Sequence, residues 1–394
     1  MKTLLAATAI GTLLAGGALA QTPEVKIGIA LGFNGPLESL APPMAGGAQL
    51  AIAEVNDSGL LLGGATVTSV SGDTTCEDAS AGTATGERLV GEGVKGIMGA
   101  MCSGPTGAIL SNVAVPNGIV MISPSATSPA LSTVEDNGLF FRTAPSDARQ
   151  GDVMAEIIMD RGINEVALTY TNNDYGKGLA ASFQSAFEAA GGTVTITESH
   201  KDGQGDYFAE VGALASAGGE ALVVVGYVDQ GGSGIIRGVL DSGAFDIFVL
   251  PDGMVGAFLE ENFGNEIDGS FGQLPGSDSE GAAIFAEMVG DAFDPTSAYA
   301  GESYDAAALM LLAMQAAGST EASDYKDMIL TVANAPGEPI LPGELAKGLQ
   351  ILADGGEIDY VGASGVELLD AGESAGNYRE IEIKDGKIET VGFR

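Results

Sequence analysis

Five loops of this chain carry side chains that could do chemistry. Two are rich in hydroxyls: Met101-Cys102-Ser103-Gly104-Pro105-Thr106 and Ser123-Pro124-Ser125-Ala126-Thr127-Ser128-Pro129. Hydroxyls and free backbone N–H groups at helix starts suit an anion. Three later loops, Tyr170 to Tyr175, Gly226-Tyr227-Val228-Asp229 and Pro251-Asp252-Gly253, offer phenols and carboxylates, which suit a cation. An anion receptor and a cation receptor together fit an amino acid zwitterion. The same residues have plainer readings: Ser103 and Thr127 as helix caps, Tyr175 and Tyr227 as packing aromatics, Asp252 as a turn residue before Gly253.

Composition removes other chemistries. The chain has one histidine, His200, so a multi-histidine metal centre is excluded, and a histidine-dependent triad has one candidate. No G-x-S-x-G elbow occurs, and Gly28-Ile29-Ala30-Leu31-Gly32 lacks the third glycine of a dinucleotide fingerprint. These absences argue against an enzyme, and no cofactor is implied. His200, followed by Lys201-Asp202-Gly203, reads as a surface loop residue. With 53 acidic and 16 basic residues the net charge is −37, which repels phosphate and makes nucleic acid an unsuitable partner. The first twenty residues read as a signal peptide: Met1-Lys2, an uncharged small and apolar stretch, then Ala18-Leu19-Ala20 as the cleavage signal, with cleavage after Ala20. Export makes Cys76 and Cys102 read first as a disulfide, with two buried free thiols as the alternative. Two cysteines and one distant histidine make no tetrahedral metal set.

The elements that must position these loops alternate. Short apolar runs at 25–31, 65–70, 96–100 and 119–122 read as strands, separated by helical stretches at 44–56, 78–92 and 104–115. The rhythm restarts with strands at 165–170, 193–198, 221–225 and 247–250, separated by helices at 175–190, 206–217 and 234–242. Helices at 280–293, 303–317 and 325–333 follow, then a hairpin over 380–391 turning on Asp385-Gly386. Such alternation predicts an α/β protein of two doubly wound parallel-sheet lobes. In such sheets ligands bind beyond the carboxyl ends of the strands, where the five loops lie.

The stretches IGIALGFNGPLESLAPPMAGGAQLAIAEVN, DTTCEDA, GIMGAMCSGPT, GIVMISPSATSPALS, FFRTAPSDARQG, NNDYGKGL, VVGYVDQGG and LPDGMVG occur in that order. Through them the chain resembles the periplasmic leucine/isoleucine/valine-binding proteins that serve ABC importers, over nearly all of Thr22 to Arg394. The resemblance implies a type I periplasmic binding fold, its lobes joined by a three-segment hinge. One lobe would hold residues 21–143 and 274–365, the other 144–273 and 366–394, with crossovers near 141–146, 269–276 and 364–377. It implies no catalysis: a monomer captures an amino acid, branched-chain or aliphatic, and presents it to an inner-membrane permease. A binder of a small amide, urea or another amino acid, or a sensory binding protein, is the alternative on the same fold.

By position, the resemblance gives Ser103 a hydrogen bond to the ligand carboxylate. Ser125, Ala126 and Thr127 form the loop that holds carboxylate and ammonium. Tyr175 and Tyr227 close over the ligand, and Cys76 and Cys102 match a disulfide of the first lobe. Asp252 stands where the family commonly has a glutamate for the ammonium, one methylene longer. Leu40 stands where relatives often have an aromatic.

Overall fold

The structure, a computed structural model, describes residues 23–394, so the expected leader and its cleavage site lie outside the described residues. Fifteen strands are formed among these residues. The first sheet contains β1 (Glu24–Leu31), β2 (Thr66–Asp73), β3 (Gly96–Gly99), β4 (Val120–Ser123), β5 (Phe140–Pro145) and later β13 (Glu373–Ser374). The second contains β6 (Glu165–Thr171), β7 (Thr193–His200), β8 (Ala221–Val225), β9 (Phe248–Leu250), β10 (Phe271–Pro275), β14 (Tyr378–Lys384) and β15 (Lys387–Phe393). A small ribbon pairs β11 (Glu338–Ile340) with β12 (Ile358–Tyr360).

Strand order is the same in principle in both large sheets. The first reads β13-β5-β4-β3-β1-β2 and the second β15-β14-β10-β9-β8-β6-β7. Winding therefore reverses between β1 and β3, and again between β6 and β8, which opens a crevice at each reversal. Central strands β3, β4, β8 and β9 are buried along their whole length. Their unbroken apolar runs are what a strand covered on both faces requires.

Local signals set many helix ends, though the helix expected over 280–293 stops at Val289, the one expected over 325–333 is two short helices, Ala322–Tyr325 and Met328–Ala333, and Asp147–Asp160 was not expected. In α1 (Ala41–Ser58), Pro42 and Pro43 sit in the first turn, where the missing N–H has no helical partner, and Gly59 ends it in a left-handed conformation, φ 63°. Asp78 caps α2 (Ala79–Gly91) by accepting from the Ala81 N–H. Helix α3 (Ser103–Ile109) runs through a π-turn, Leu110–Ala114, into the short α4 (Val115–Asn117). Ser146 caps α5 (Asp147–Asp160), and Asn173 caps α6 (Asp174–Ala189). Then come α7 (Phe208–Ala217), α8 (Gly231–Ser242), α9 (Ala257–Asn262), α10 (Glu280–Val289) and α11 (Ala300–Ala317). Helix α11 is buried on nearly every side, its polar residues Glu302, Ser303, Asp305 and Gln315 included. It packs on α1 so closely that a Cβ on Gly47 would lie 2.2 Å from the Ala300 carbonyl oxygen.

The chain passes between the sheets three times: from β5 into α5, from β10 towards α10, and from β13 to β14. Hydrogen bonding from Gly276 N–H to the Asn377 carbonyl ties the second passage to the third. Three expectations need correcting. Residues 366–374 were expected with the second lobe, yet Glu373 and Ser374 pair with β5 in the first sheet. Pro275 still pairs in the second sheet, so residues 274 and 275 belong with it. His200 is no surface loop residue: β7 runs two residues further than the apolar run suggests and carries it inside, 1% exposed. There its Nδ1 lies 2.8 Å from the Thr169 hydroxyl.

Candidate ligand-binding site

Both crevices open onto one cavity. Behind β1 lie Leu37 and Leu40; behind β3, Met101, Cys102 and Ser103; behind β4, Ser125. From the other sheet come Tyr175 after β6, Tyr227 after β8, and Asp252 with Gly253 after β9; Tyr299 completes the wall. About 310 Å³ of space between these side chains, part of it open to solvent, forms the cavity.

The second-sheet wall is the more polar. Asp252 is 3% exposed and accepts three hydrogen bonds. Tyr175 donates its hydroxyl proton to Oδ1 over 2.9 Å, Gln150 its Nε2 to the same oxygen over 2.8 Å, and Tyr299 its hydroxyl proton to Oδ2. None of these donors is charged. Burial pushes the Asp252 carboxyl above its ordinary range, and the three donors pull it part of the way back. Tyr175 and Tyr227 stack with centroids 5.3 Å apart and planes 10° from parallel. Burial raises both phenols well above their usual value, so each stays a neutral donor.

On the first-sheet wall, Ser103 opens α3 and its Oγ accepts from the Ser128 N–H at 3.2 Å, while Ser125 donates its hydroxyl proton to the Met101 carbonyl at 2.7 Å. Ala126 and Thr127 are buried behind this wall. The Ala126 N–H is spent on Ser123 Oγ at 2.9 Å. Thr127 is 1% exposed, and its hydroxyl has no hydrogen-bond partner among the described residues. Thus five of the seven expected residues, Ser103, Ser125, Tyr175, Tyr227 and Asp252, line the cavity, and Ala126 and Thr127 stand behind it.

The cysteines form a disulfide, Cys76–Cys102, which makes Cys102 a fixed part of the wall. Gly32 is needed there, because a Cβ would lie 2.8 Å from Cys76 Sγ. Asp229 does not enter the cavity. Its Oδ2 accepts from the Ser39 N–H at 2.8 Å, and its own N–H donates to the Pro36 carbonyl at 3.2 Å. These bonds join the two sheets' loops across the mouth. Gly178 lies under Pro129 on the far side, where a Cβ would come within 2.7 Å of the proline ring. The two halves are therefore closed on each other.

Sequence reading missed Tyr299, Gln150 and Asp147. Tyr299 precedes α11 in the left-handed region, φ 64°, on a segment that follows no strand. Gln150 and Asp147 belong to the stretch FFRTAPSDARQG, which carries part of the resemblance but reads in sequence as no more than a crossover.

Among the described residues no helix is long and apolar enough to cross a membrane, and no cluster of three metal-ligating side chains occurs. The Leu/Ile/Val-binding protein homolog 1 of Brucella melitensis is 29% identical over 371 residues, which cover 90% of this chain and 98% of the relative. A leucine-binding protein LivK from Thermotoga maritima superposes with a TM-score of 0.79 at 21% identity, covering 94% of this chain and 98% of that one. LivJ from Streptococcus pneumoniae, a branched-chain amino acid transporter substrate-binding protein in complex with isoleucine, gives 0.77 at 22% identity, covering 94% and 99%. The sequence profile of the family described as periplasmic binding protein matches residues 24–334. With that match spanning well over half of the sequence, the chain belongs to the periplasmic binding protein family.

Proposed function

We propose that this chain is the substrate-binding component of an ABC importer, which captures a small α-amino acid by closure of two lobes and delivers it to an inner-membrane permease. One observation carries the reading: the cavity sets a buried carboxylate held by neutral donors, Asp252, opposite the hydroxyls of Ser103 and Ser125. Asp252 accepts the ammonium, and Ser103, whose hydroxyl accepts from Ser128 and keeps its own proton free, donates to the carboxylate. Leu37, Leu40 and Met101 leave an apolar space for an aliphatic side chain. Strand pairing favours lobes divided just after Pro145, after Pro275 and between Ser374 and Tyr378. The acting form resides in the periplasm after cleavage behind Ala20.

Closure follows from contacts to both lobes, which make the closed state bind better than the open one. The test is a thermal-shift screen with the amino acids, their amides, urea and γ-aminobutyrate. A ligand at one hundred times its dissociation constant stabilises by about 2.7 kcal/mol. Aliphatic amino acids are expected to give this shift and their amides a smaller one. Asp252→Asn is expected to weaken binding by roughly 3–5 kcal/mol, because a desolvated ammonium loses its counter-charge. A loss below tenfold in calorimetric titration, or a screen in which amides outdo acids, overturns the reading.

A further inference from the structure

A second carboxylate stands behind Asp252. Asp147 is the first residue of α5 and is wholly buried, at 0% exposure. Neither of its carboxylate oxygens has a hydrogen-bond partner among the described residues. Its backbone N–H donates to the Thr127 carbonyl over 2.8 Å, which ties it to the hydroxyl-rich wall. Gln150, three positions on and therefore on the same helix face, donates to Asp252 over 2.8 Å. Asp147 thus lies between the two ends of the proposed ligand site, one glutamine away from the carboxylate that receives the ammonium.

Nothing nearby neutralises it with a free positive charge. The Arg142 guanidinium on β5 favours its ionisation, but that cation already serves the Ala126 and Ser128 carbonyls, Ser132 and the Glu373 carboxylate. Thr127 eases its ionisation without reaching hydrogen-bond geometry. Arg149, the next cation on α5, is exposed to solvent. The other titratable groups around the pair are neutral phenols: Tyr175 from α6, Tyr227 after β8, Tyr299 before α11 and Tyr378 from β14. Gln273 on β10 is buried, and its side-chain amide also has no hydrogen-bond partner among the described residues. Two buried carboxylates with one committed cation carry more negative charge than such a site tolerates when both are ionised.

We propose that Asp147 and Asp252 hold one proton between them in the ligand-free protein, and that the ligand ammonium displaces this proton on binding. The exchange balances: one positive charge enters the site, one proton leaves to solvent, and no covalent bond other than the carboxylic O–H is broken. Burial, followed by the neighbouring Asp252, holds the Asp147 carboxyl well above its ordinary range, in keeping with a pair that keeps a proton. Carboxyls this close in charge and burial share a titration, so the proton is assigned to the pair and to neither residue alone. Asp147 is here a positioning residue. It does not line the cavity, and it sets the protonation state of Asp252, which does.

The inference rests on the amino acid reading and has its own readout. Calorimetric titration of the protein with its best amino acid, in buffers of different ionisation enthalpy, counts protons released per ligand. Between pH 5 and 8 the wild type is expected to release up to one proton, and its affinity to rise with pH by up to tenfold per unit until the free pair no longer holds a proton. Asp147→Asn leaves Asp252 with no partner to share with; its release is expected to vanish and its affinity to become nearly flat over the same range. Binding without proton release in the wild type overturns the inference and leaves the function standing. An Asp147→Asn protein with the wild-type pH profile overturns it as well. Absence of any amino acid binding overturns the function instead.

Discussion

Tyr299 links the two halves at a single atom pair. It sits at the start of α11, which packs on α1, and its hydroxyl reaches the Asp252 carboxylate after β9. A hydrogen bond to a charged acceptor contributes about 1.5–3 kcal/mol. This one exists only when the lobes are together, so it stabilises the closed state and with it the complex. Tyr299→Phe is expected to lower affinity about ten- to a hundredfold while the melting temperature of the ligand-free protein changes little; titration and a thermal melt measure the two. An unchanged affinity would mean that the bond forms equally well without closure. The residue was illegible in the sequence for a physical reason. Ser103, Ser125, Tyr175, Tyr227 and Asp252 each follow a short apolar run, and the rule that ligands gather at strand ends finds them. Tyr299 follows no strand; it enters the site because a helix from late in the chain returns to the first sheet. Asp147 and Gln150 were hidden differently. Their stretch carries the strand β5 and the start of α5, but Arg142, Asp147 and Gln150 interrupt its apolar pattern, and burial of these polar groups cannot be read from periodicity.

Among the elements, β7 shows how a polar tail can continue a strand into the interior. Apolar residues stop at Ile196, yet the strand runs to His200, where the ring meets the Thr169 hydroxyl on β6. Burial lowers the His200 pKa from 6.5 to about 4. The folded state therefore prefers the neutral ring, while the unfolded chain takes up the proton near pH 6.5. Stability is intact above pH 6.5 and is lost as pH falls towards 4. By pH 4.5 the loss attributable to this ring amounts to about 2–3 kcal/mol, since each pH unit below 6.5 favours the protonated unfolded chain by ~1.36 kcal/mol. Denaturant melts of the wild type and His200→Gln at pH 7 and pH 4.5 test this: the variant is expected to lose less stability by about that amount. Equal losses would place the ring's proton uptake outside this range. Within the two alternating runs, 25–122 and 165–250, the other strands and helices were legible, because caps and stops such as Asp78, Asn173, Gly59 and Gly243 are written locally; β5, α5, β10, β11 and β12 lie outside those runs and were not read.

At the scale of the whole molecule, the net charge of −37 acts on closure itself. Bringing two acidic lobes together costs electrostatic energy at long range. Screening shortens that range from about 30 Å at 0.01 M salt to about 8 Å at 0.15 M. Affinity for the amino acid is therefore expected to improve as sodium chloride rises from 10 to 150 mM, and small-angle scattering is expected to show the ligand-free radius of gyration shrinking on ligand addition. A weakening with salt would mean that exposed ion pairs between the lobes outweigh the general repulsion. The two-lobe plan was legible from the restart of the strand–helix rhythm near Glu165. The third crossover falls at the end of the stretch expected from the resemblance, 364–377, but the strand before it was not legible, since β13 is two residues long and its pairing with β5 depends on a partner far away in the chain.

That distant pairing has a consequence for how the protein comes into being. Glu373 meets the buried Arg142 guanidinium from 231 positions away and closes the edge of the first sheet. Translation delivers Arg142 long before Glu373, so the first lobe must wait, with a buried cation unanswered, until nearly the whole chain has been made. A ribosome halted before Glu373 would hold neither lobe complete, since the second sheet still lacks β14 and β15. Neither lobe corresponds to a continuous stretch of message, and a fragment cut between them would strand part of each. The chain is built to reach its native state late, all at once, after synthesis and any passage through a membrane are over.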